Sequence, residues 1–197
     1  IKKEWVDEIL VVDGGSTDGT IEEAKKVGFN IIKQEIKGHG GAIITGINNT
    51  KSENIIIFGP DGNHEPEEIP RLIKKIDEGF DQVVVSRFTK ESVIKEPNYG
   101  FVKFGNQFFT FFVNLLFGGN LSDTMTDSRI ITRKAFEELN FDVLLLDSTL
   151  TMSIRGMKKK QKMTEIVGDQ GERIGGQRKM KPIKTGMLLI RRIIKEL

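Results

Sequence analysis

The sequence has no cysteine, two histidines, one tryptophan and five prolines in 197 residues. Without cysteine there is no disulfide framework, no thiolate zinc site and no cysteine nucleophile, while compartment stays open. His39 and His64 alone cannot build a multi-histidine metal centre. No stretch reaches the ~18 consecutive apolar residues that a membrane span requires. Ile1-Lys2-Lys3-Glu4-Trp5 carries neither an apolar core nor a cleavage pattern, so no signal peptide is legible. The chain starts abruptly, as though a strand should precede it. A cytoplasmic location is the expectation.

What is present suits one folded domain over 1–197: 29% charged and 38% hydrophobic residues, enough for a sizeable core. The net charge of +2 conceals a division. Residues 1–154 carry 17 basic and 24 acidic side chains, and residues 155–197 carry 13 and 4. An acidic body with a basic tail suggests one face that meets anions. Nucleic acid is not expected, because the basic residues lack interleaved aromatics and no nucleic-acid motif occurs.

Elements alternate along the chain. Glu8–Asp13 (EILVVD), Ile31–Gln34, Asn54–Phe58 (NIIIF) and Gln82–Ser86 (QVVVS) read as strands. Helices are expected from Thr20 to Val27, from the Gly38-His39-Gly40-Gly41 cluster to about Asn49, and after Pro66. Glu67 and Glu68 in that last helix's first turn favour its dipole. Short apolar strands alternating with helices predict an α/β domain with a mostly parallel sheet flanked by helices.

Two later helices stand apart. Residues 101–117 hold 7 of the 13 phenylalanines, with Lys103, Gln107, Thr110 and Asn114 forming one narrow polar stripe. The expectation is a core helix, with a helix at a membrane surface as the alternative. Pro182 to Leu197, within a basic amphipathic segment 181–197, places Ile183, Met187, Ile190, Ile194 and Leu197 on one stripe. A surface helix packed on the sheet and a helix drawn to anionic lipid both fit it.

In parallel α/β sheets ligands bind beyond the carboxyl ends of the strands. Three strand ends carry polar groups: Asp13, Asp61 with Asn63, and Arg87. Turn chemistry accounts for any one of them alone. Asp13 can accept hydrogen bonds from a base or ribose. Asp61 and Asn63 offer hard oxygens that suit Mg²⁺ or Mn²⁺ shared with a diphosphate. Arg87 can clamp a phosphate with its planar fork.

These residues resemble a family. Val12-Asp13-Gly14-Gly15-Ser16-Thr17-Asp18-Gly19-Thr20 is similar to the VDDGSTDGT-type segment of family 2 glycosyltransferases, which have the GT-A fold. Gly38-His39-Gly40-Gly41-Ala42 resembles their GKGGA segment, and the run from Pro60 to Pro70 resembles the stretch around their DxD motif. Ser86-Arg87-Phe88 matches SRF, and Asp123 to Arg129 resembles D-x-x-S-G-F-R. Arg173 to Met180 is similar to the R-x-G-G-E-S-K-M of polyprenyl-phosphate glycosyltransferases. Six motifs in order cover most of the chain. Departures are Gly14 for the second aspartate of VDD, Gly59 for the first of DxD, and His39 for lysine. Asp127 and Ser128 stand for Gly-Phe, Arg178 stands for serine, and the opening strand of the family is absent.

The resemblance implies an inverting transfer of sugar from a nucleotide-sugar donor, with Asp13, Gly14, Gly15, Ser16, Gly38 and Asp61 at the nucleotide. It implies Mg²⁺ or Mn²⁺ on Asp61 and Asn63, and phosphate held by Arg87, Arg129, Arg173 and Lys179. Asp61, Arg87, Asp123 and Asp127 are the expected catalytic residues. A hydroxyl acceptor needs a base, for which Asp123, Asp127 and Asp147 are candidates; a phosphate acceptor does not. The expected acceptor is a polyprenyl phosphate at the cytoplasmic membrane face, with peripheral membrane contact. Transfer to a soluble or glycan hydroxyl, and a non-catalytic nucleotide-sugar-binding module, stay open.

Overall fold

The structure is a computed structural model and describes residues 1–59, 61–97, 99–172 and 181–197. After a short 3₁₀ turn at Lys3–Trp5 the order is β1 (Leu10–Asp13), α1 (Thr20–Lys26), β2 (Asn30–Lys33), α2 (His39–Asn48), β3 (Asn54–Ile57), α3 (Glu68–Asp77) and β4 (Gln82–Ser86). Then follow α4 (Gly100–Phe117), β5 (Arg129–Thr132), α5 (Arg133–Glu138), α6 (Ser148–Lys158), β6 (Met163–Val167) and α7 (Pro182–Glu196). The four strands expected from the sequence are all present, each end within two residues of the expectation and the last strand unchanged.

Three of the four strands of the main sheet share one direction, as expected, and β5 alone is reversed. β1 and β2 pair in parallel as a separate ribbon, and the main sheet has the order β3-β5-β4-β6. β5 is antiparallel to β3 and to β4, while β4 and β6 are parallel, so the sheet is mixed. The chain leaves β4 at its Ser86 end and, after α4 and the 118–128 segment, re-enters at that same end, with Arg129 beside Val84.

Alternation along β5 divides the core. Ile131 turns to one face, with Ile43 and Ile47 of α2, Ile55, Phe136 and Met152. Ile130 turns to the other, with Leu72 and Ile76 of α3, Val83, Val85 and Ile166. Burying each such side chain stabilises the fold by about 1.5–3 kcal/mol. A third cluster joins Val113 of α4, Leu150 and Ile154 of α6, and Leu189 and Ile193 of α7.

α4 is not the core helix expected. Its polar stripe divides: Lys103 and Gln107 stay exposed, while Thr110 and Asn114 point inward. The Thr110 and Thr124 hydroxyls lie 2.9 Å apart, and Asn114 donates to the Leu121 carbonyl at 2.7 Å and accepts from the Leu121 amide at 3.3 Å. The loop 121–124 has backbone groups that need partners, and the inward part of the stripe supplies them. The wide apolar face therefore turns outward, with Phe101 70%, Phe104 67%, Phe111 63% and Leu115 67% exposed. α7 repeats this, since the stripe Ile183, Met187, Ile190, Ile194 and Leu197 is exposed while Leu189 and Ile193 pack inward. No helix among the described residues is long and apolar enough to cross a membrane.

Candidate active site

Asp13 ends β1, and its carboxylate organises the loop that follows. It accepts from the Gly15 amide at 2.8 Å and the Ser16 amide at 3.1 Å. Hydrogen bonds from the Ser16 side chain and from these amides hold its carboxyl below the usual range. The exposed Gly14, Gly15 and Ser16 form the rim, and Gly15 takes φ +103°, a conformation that favours glycine. Gln34 connects this loop to the next motif: its amide donates to the Asp13 carbonyl at 2.8 Å and its side chain donates to the Gly38 carbonyl at 2.7 Å.

The glycines at the start of α2 have a packing explanation. A β-carbon on Gly38 would lie 2.2 Å from the Leu144 carbonyl oxygen, and one on Gly40 would lie 1.8 Å from that of Val143. Close approach lets the Gly40 amide donate to the Leu144 carbonyl at 3.0 Å. His39, between them, stands at a junction. Its Nδ1 is 2.7 Å from the Ser148 hydroxyl and its Nε2 is 3.5 Å from Asp127 Oδ1.

Arg87 follows β4. Its Nε donates to Asp123 Oδ2 at 2.7 Å and a terminal nitrogen donates to Oδ1 at 3.1 Å, a bidentate grip. The other terminal nitrogen donates to the Tyr99 hydroxyl at 2.9 Å and to Gln170 Oε1 at 3.4 Å. Burial opposes the Arg87 charge, but Asp123 outweighs it and raises the pKa above the ordinary arginine value. The serine before each member of the pair is held as well. Glu165 accepts from the Ser122 amide and hydroxyl, both at 2.7 Å, and Ser122 Oγ lies 2.5 Å from Ser86 Oγ.

The structure separates the three candidate carboxylate bases. Asp123 is fully enclosed and committed to Arg87, so it positions that guanidinium and has no free face for an acceptor. Asp147 is enclosed beside α7, with Arg192 donating to it at 2.7 Å. Asp127 keeps a side chain 48% exposed beside His39. The expectation for Arg129 is corrected. It is fully buried, where it donates to Gln82 Oε1 at 2.9 Å and to the Thr126 carbonyl at 2.7 Å, out of reach of a phosphate. Desolvation pushes its pKa down to about 10. Arg173 and Lys179 lie outside the described residues.

Asp61 and Asn63 share one turn. The Asn63 side chain donates to Asp61 Oδ2 at 3.1 Å and its amide donates to Oδ1 at 3.3 Å. Asn63 Oδ1 is buried with no hydrogen-bond partner. A buried, unpartnered hard oxygen beside a carboxylate fits a small divalent cation. Among the described residues no three acidic or histidine side chains converge to hold an ion. The remaining ligands would come from a diphosphate and water. The Gly171 amide donates to the Asn63 carbonyl at 2.9 Å and ties this turn to Gln170, hence to Arg87.

Contacts thus run continuously from Asp13 through Gln34, Gly38, His39 and Asp127, and from Arg87 through Gln170 and Gly171 to Asn63 and Asp61. The Asp127 charge also contributes to raising the Arg87 pKa, after that of Asp123. Sequence reasoning did not single out Gln34, Tyr99, Gln170 or Glu165 as site residues. Each lies outside the six motifs and acts only through a neighbour.

The fold has close counterparts. A glucosyl-3-phosphoglycerate synthase from Mycobacterium tuberculosis, solved with Mn²⁺, UDP and phosphoglyceric acid, matches with a TM-score of 0.73 at 16% identity over 97% of this chain and 68% of that one. That likeness establishes the GT-A fold. By sequence, an uncharacterized protein of Methanocaldococcus jannaschii is 34% identical over 149 residues, 73% of this chain and 60% of its own. A dolichyl-phosphate hexose transferase of Haloferax volcanii is 28% identical over 191 residues, 95% of this chain and 80% of its own. The chain thus spans about three fifths of the first relative and four fifths of the second. The family model "Glycosyl transferase family 2" matches residues 3–140, a span that includes every described motif from Asp13 to Arg129, and the chain belongs to that family.

Proposed function

We propose that the chain transfers a sugar from a nucleotide-sugar donor to a polyprenyl phosphate at a membrane face, with inversion at the anomeric carbon. The observations that carry this reading are two runs of contacts, one from the Asp13 loop to His39 and the accessible Asp127, the other from Arg87 to the Asp61–Asn63 turn. The donor is supported by the fold's UDP-bound counterpart, and the acceptor by the Haloferax relative.

Asp13 and the Gly14–Ser16 rim would take the nucleoside, and Asp61 with Asn63 would hold Mg²⁺ or Mn²⁺. Such an ion neutralises charge on a departing diphosphate. Arg87, locked in place by Asp123, presents fixed positive charge to the same group. A phosphate acceptor is already anionic near neutral pH, so Asp127 need not remove a proton from it. Its part would then be to hold the His39 imidazole, which can meet the incoming anion.

The test is turnover of labelled nucleotide sugars with polyprenyl phosphate and, separately, with soluble glycans. Label entering the organic phase supports the reading. Label found only in water-soluble product would make the acceptor a hydroxyl, and donor binding without turnover would indicate a binding module.

A further inference from the structure

We propose that the joined outer face of α4 and α7 docks on an anionic lipid bilayer surface. The two helices form one face because they share a cluster: Val113, Leu189 and Ile193 pack together over α6, and the Phe109 ring lies 3.9 Å from where a β-carbon on Gly186 would be. What they leave outside is apolar. On α4 the exposed side chains include Phe104 and Phe111, and on α7 Ile183 at 78% and Ile194 at 64%. An ordinary surface helix keeps its apolar side in. Here the polar side chains Thr110 and Asn114 are consumed inside by the 121–124 loop, so only Lys103 and Gln107 accompany the exposed apolar face of α4 into water. A contiguous exposed patch of such side chains marks an interaction surface.

Charge selects the occupant. The exposed charges on both helices are all positive: Lys103 on α4, and Lys184, Arg191 and Lys195 on α7. The single acid, Glu196, is buried against Arg155 and Arg192. A second copy of this face would oppose cations with cations, whereas phenylalanines flanked by lysine and arginine match the acyl–headgroup boundary of an anionic leaflet. The face also extends toward the candidate site. Asp147 is gripped by Arg192 of α7, and the preceding Leu144 accepts from the Gly40 amide. Leu145 between them is 55% exposed.

Docking is independent of the transfer reading, and its test uses no turnover. The purified chain is sedimented with vesicles of phosphatidylcholine alone and of phosphatidylcholine mixed with phosphatidylglycerol, at low and high salt. Retention by the anionic vesicles is expected, weakened by salt. The triple variant Phe104→Ser/Phe111→Ser/Ile194→Ser should bind at least about tenfold less tightly. Because all three side chains are exposed, its thermal melt should match the parent. Lys184→Gln/Arg191→Gln/Lys195→Gln should lose the preference for anionic lipid. Absence of retention, or retention that neither variant changes, overturns the proposal. So does light scattering that shows a dimer dissolved by the triple variant. Donor titration by calorimetry on the same variants keeps the two readings apart, since failed docking with intact donor binding sinks this proposal alone.

Discussion

Replacing Asp123 by asparagine removes the charge that two Arg87 nitrogens grip, at 2.7 and 3.1 Å. Removing one partner of a buried pair costs about 3–5 kcal/mol, so Asp123→Asn should lower the urea midpoint and turnover together. Asp127 predicts a different outcome. Its half-exposed carboxylate bonds only loosely to His39, so Asp127→Asn should leave the melt nearly unchanged. If Asp127 holds His39 for the acceptor, the loss should appear as a raised KM for acceptor with the donor KM unchanged. Asp147→Asn gives the reverse, a destabilised protein, because Arg192 would lose its buried counter-charge. The sequence offered these three aspartates without a ranking. What ranks them is which cation lies opposite, and every such cation is remote in the chain: Arg87 is 36 residues from Asp123, and Arg192 is 45 from Asp147.

At the scale of elements, legibility followed chemistry. β3 and β4 are runs of isoleucine and valine, legible because only burial on both faces explains them. β5 (RIIT) and β6 (MTEIV) are no shorter than β3 and β4 but escaped because each carries a charged residue, Arg129 or Glu165, whose partners lie elsewhere in the chain. The spacing of α4 gave a correct pair of faces, yet periodicity does not say which face is inside. That was decided by the 121–124 loop and its demand for hydrogen-bond partners. The motif glycines were legible as a cluster, but the reason for Gly40 is the Val143 carbonyl more than a hundred residues later. Gly40→Ala should therefore cost about 1–3 kcal/mol through forced displacement of that backbone. Ile131→Ala, at a fully buried site, should cost about 2–5 kcal/mol in the same denaturation series.

For the molecule as a whole, the carboxyl-terminal helix is fastened by ions. Glu196 receives Arg155 at 2.9 Å and lies 3.6 Å from both Arg192 and Lys158. Burial works to raise its pKa, but Arg155 and the neighbouring cations prevail and lower it below the ordinary 4.5. A carboxyl depressed in the folded state contributes stability that is complete above its unfolded value and is lost as pH falls through the folded one. Thermal stability should thus decline as pH drops below about 4.5, and Glu196→Gln should flatten that decline.

The reversed strand β5 also constrains how the chain is made. β3 and β4 never pair with one another; each waits for β5 to enter between them. A nascent chain that has emerged only as far as Ser128 therefore holds the β1–β2 ribbon and two further apolar strands with unfilled edges, but no main sheet. Joining of β3 to β4 becomes possible once Arg129–Thr132 has left the ribosome, so the main sheet should form late rather than strand by strand.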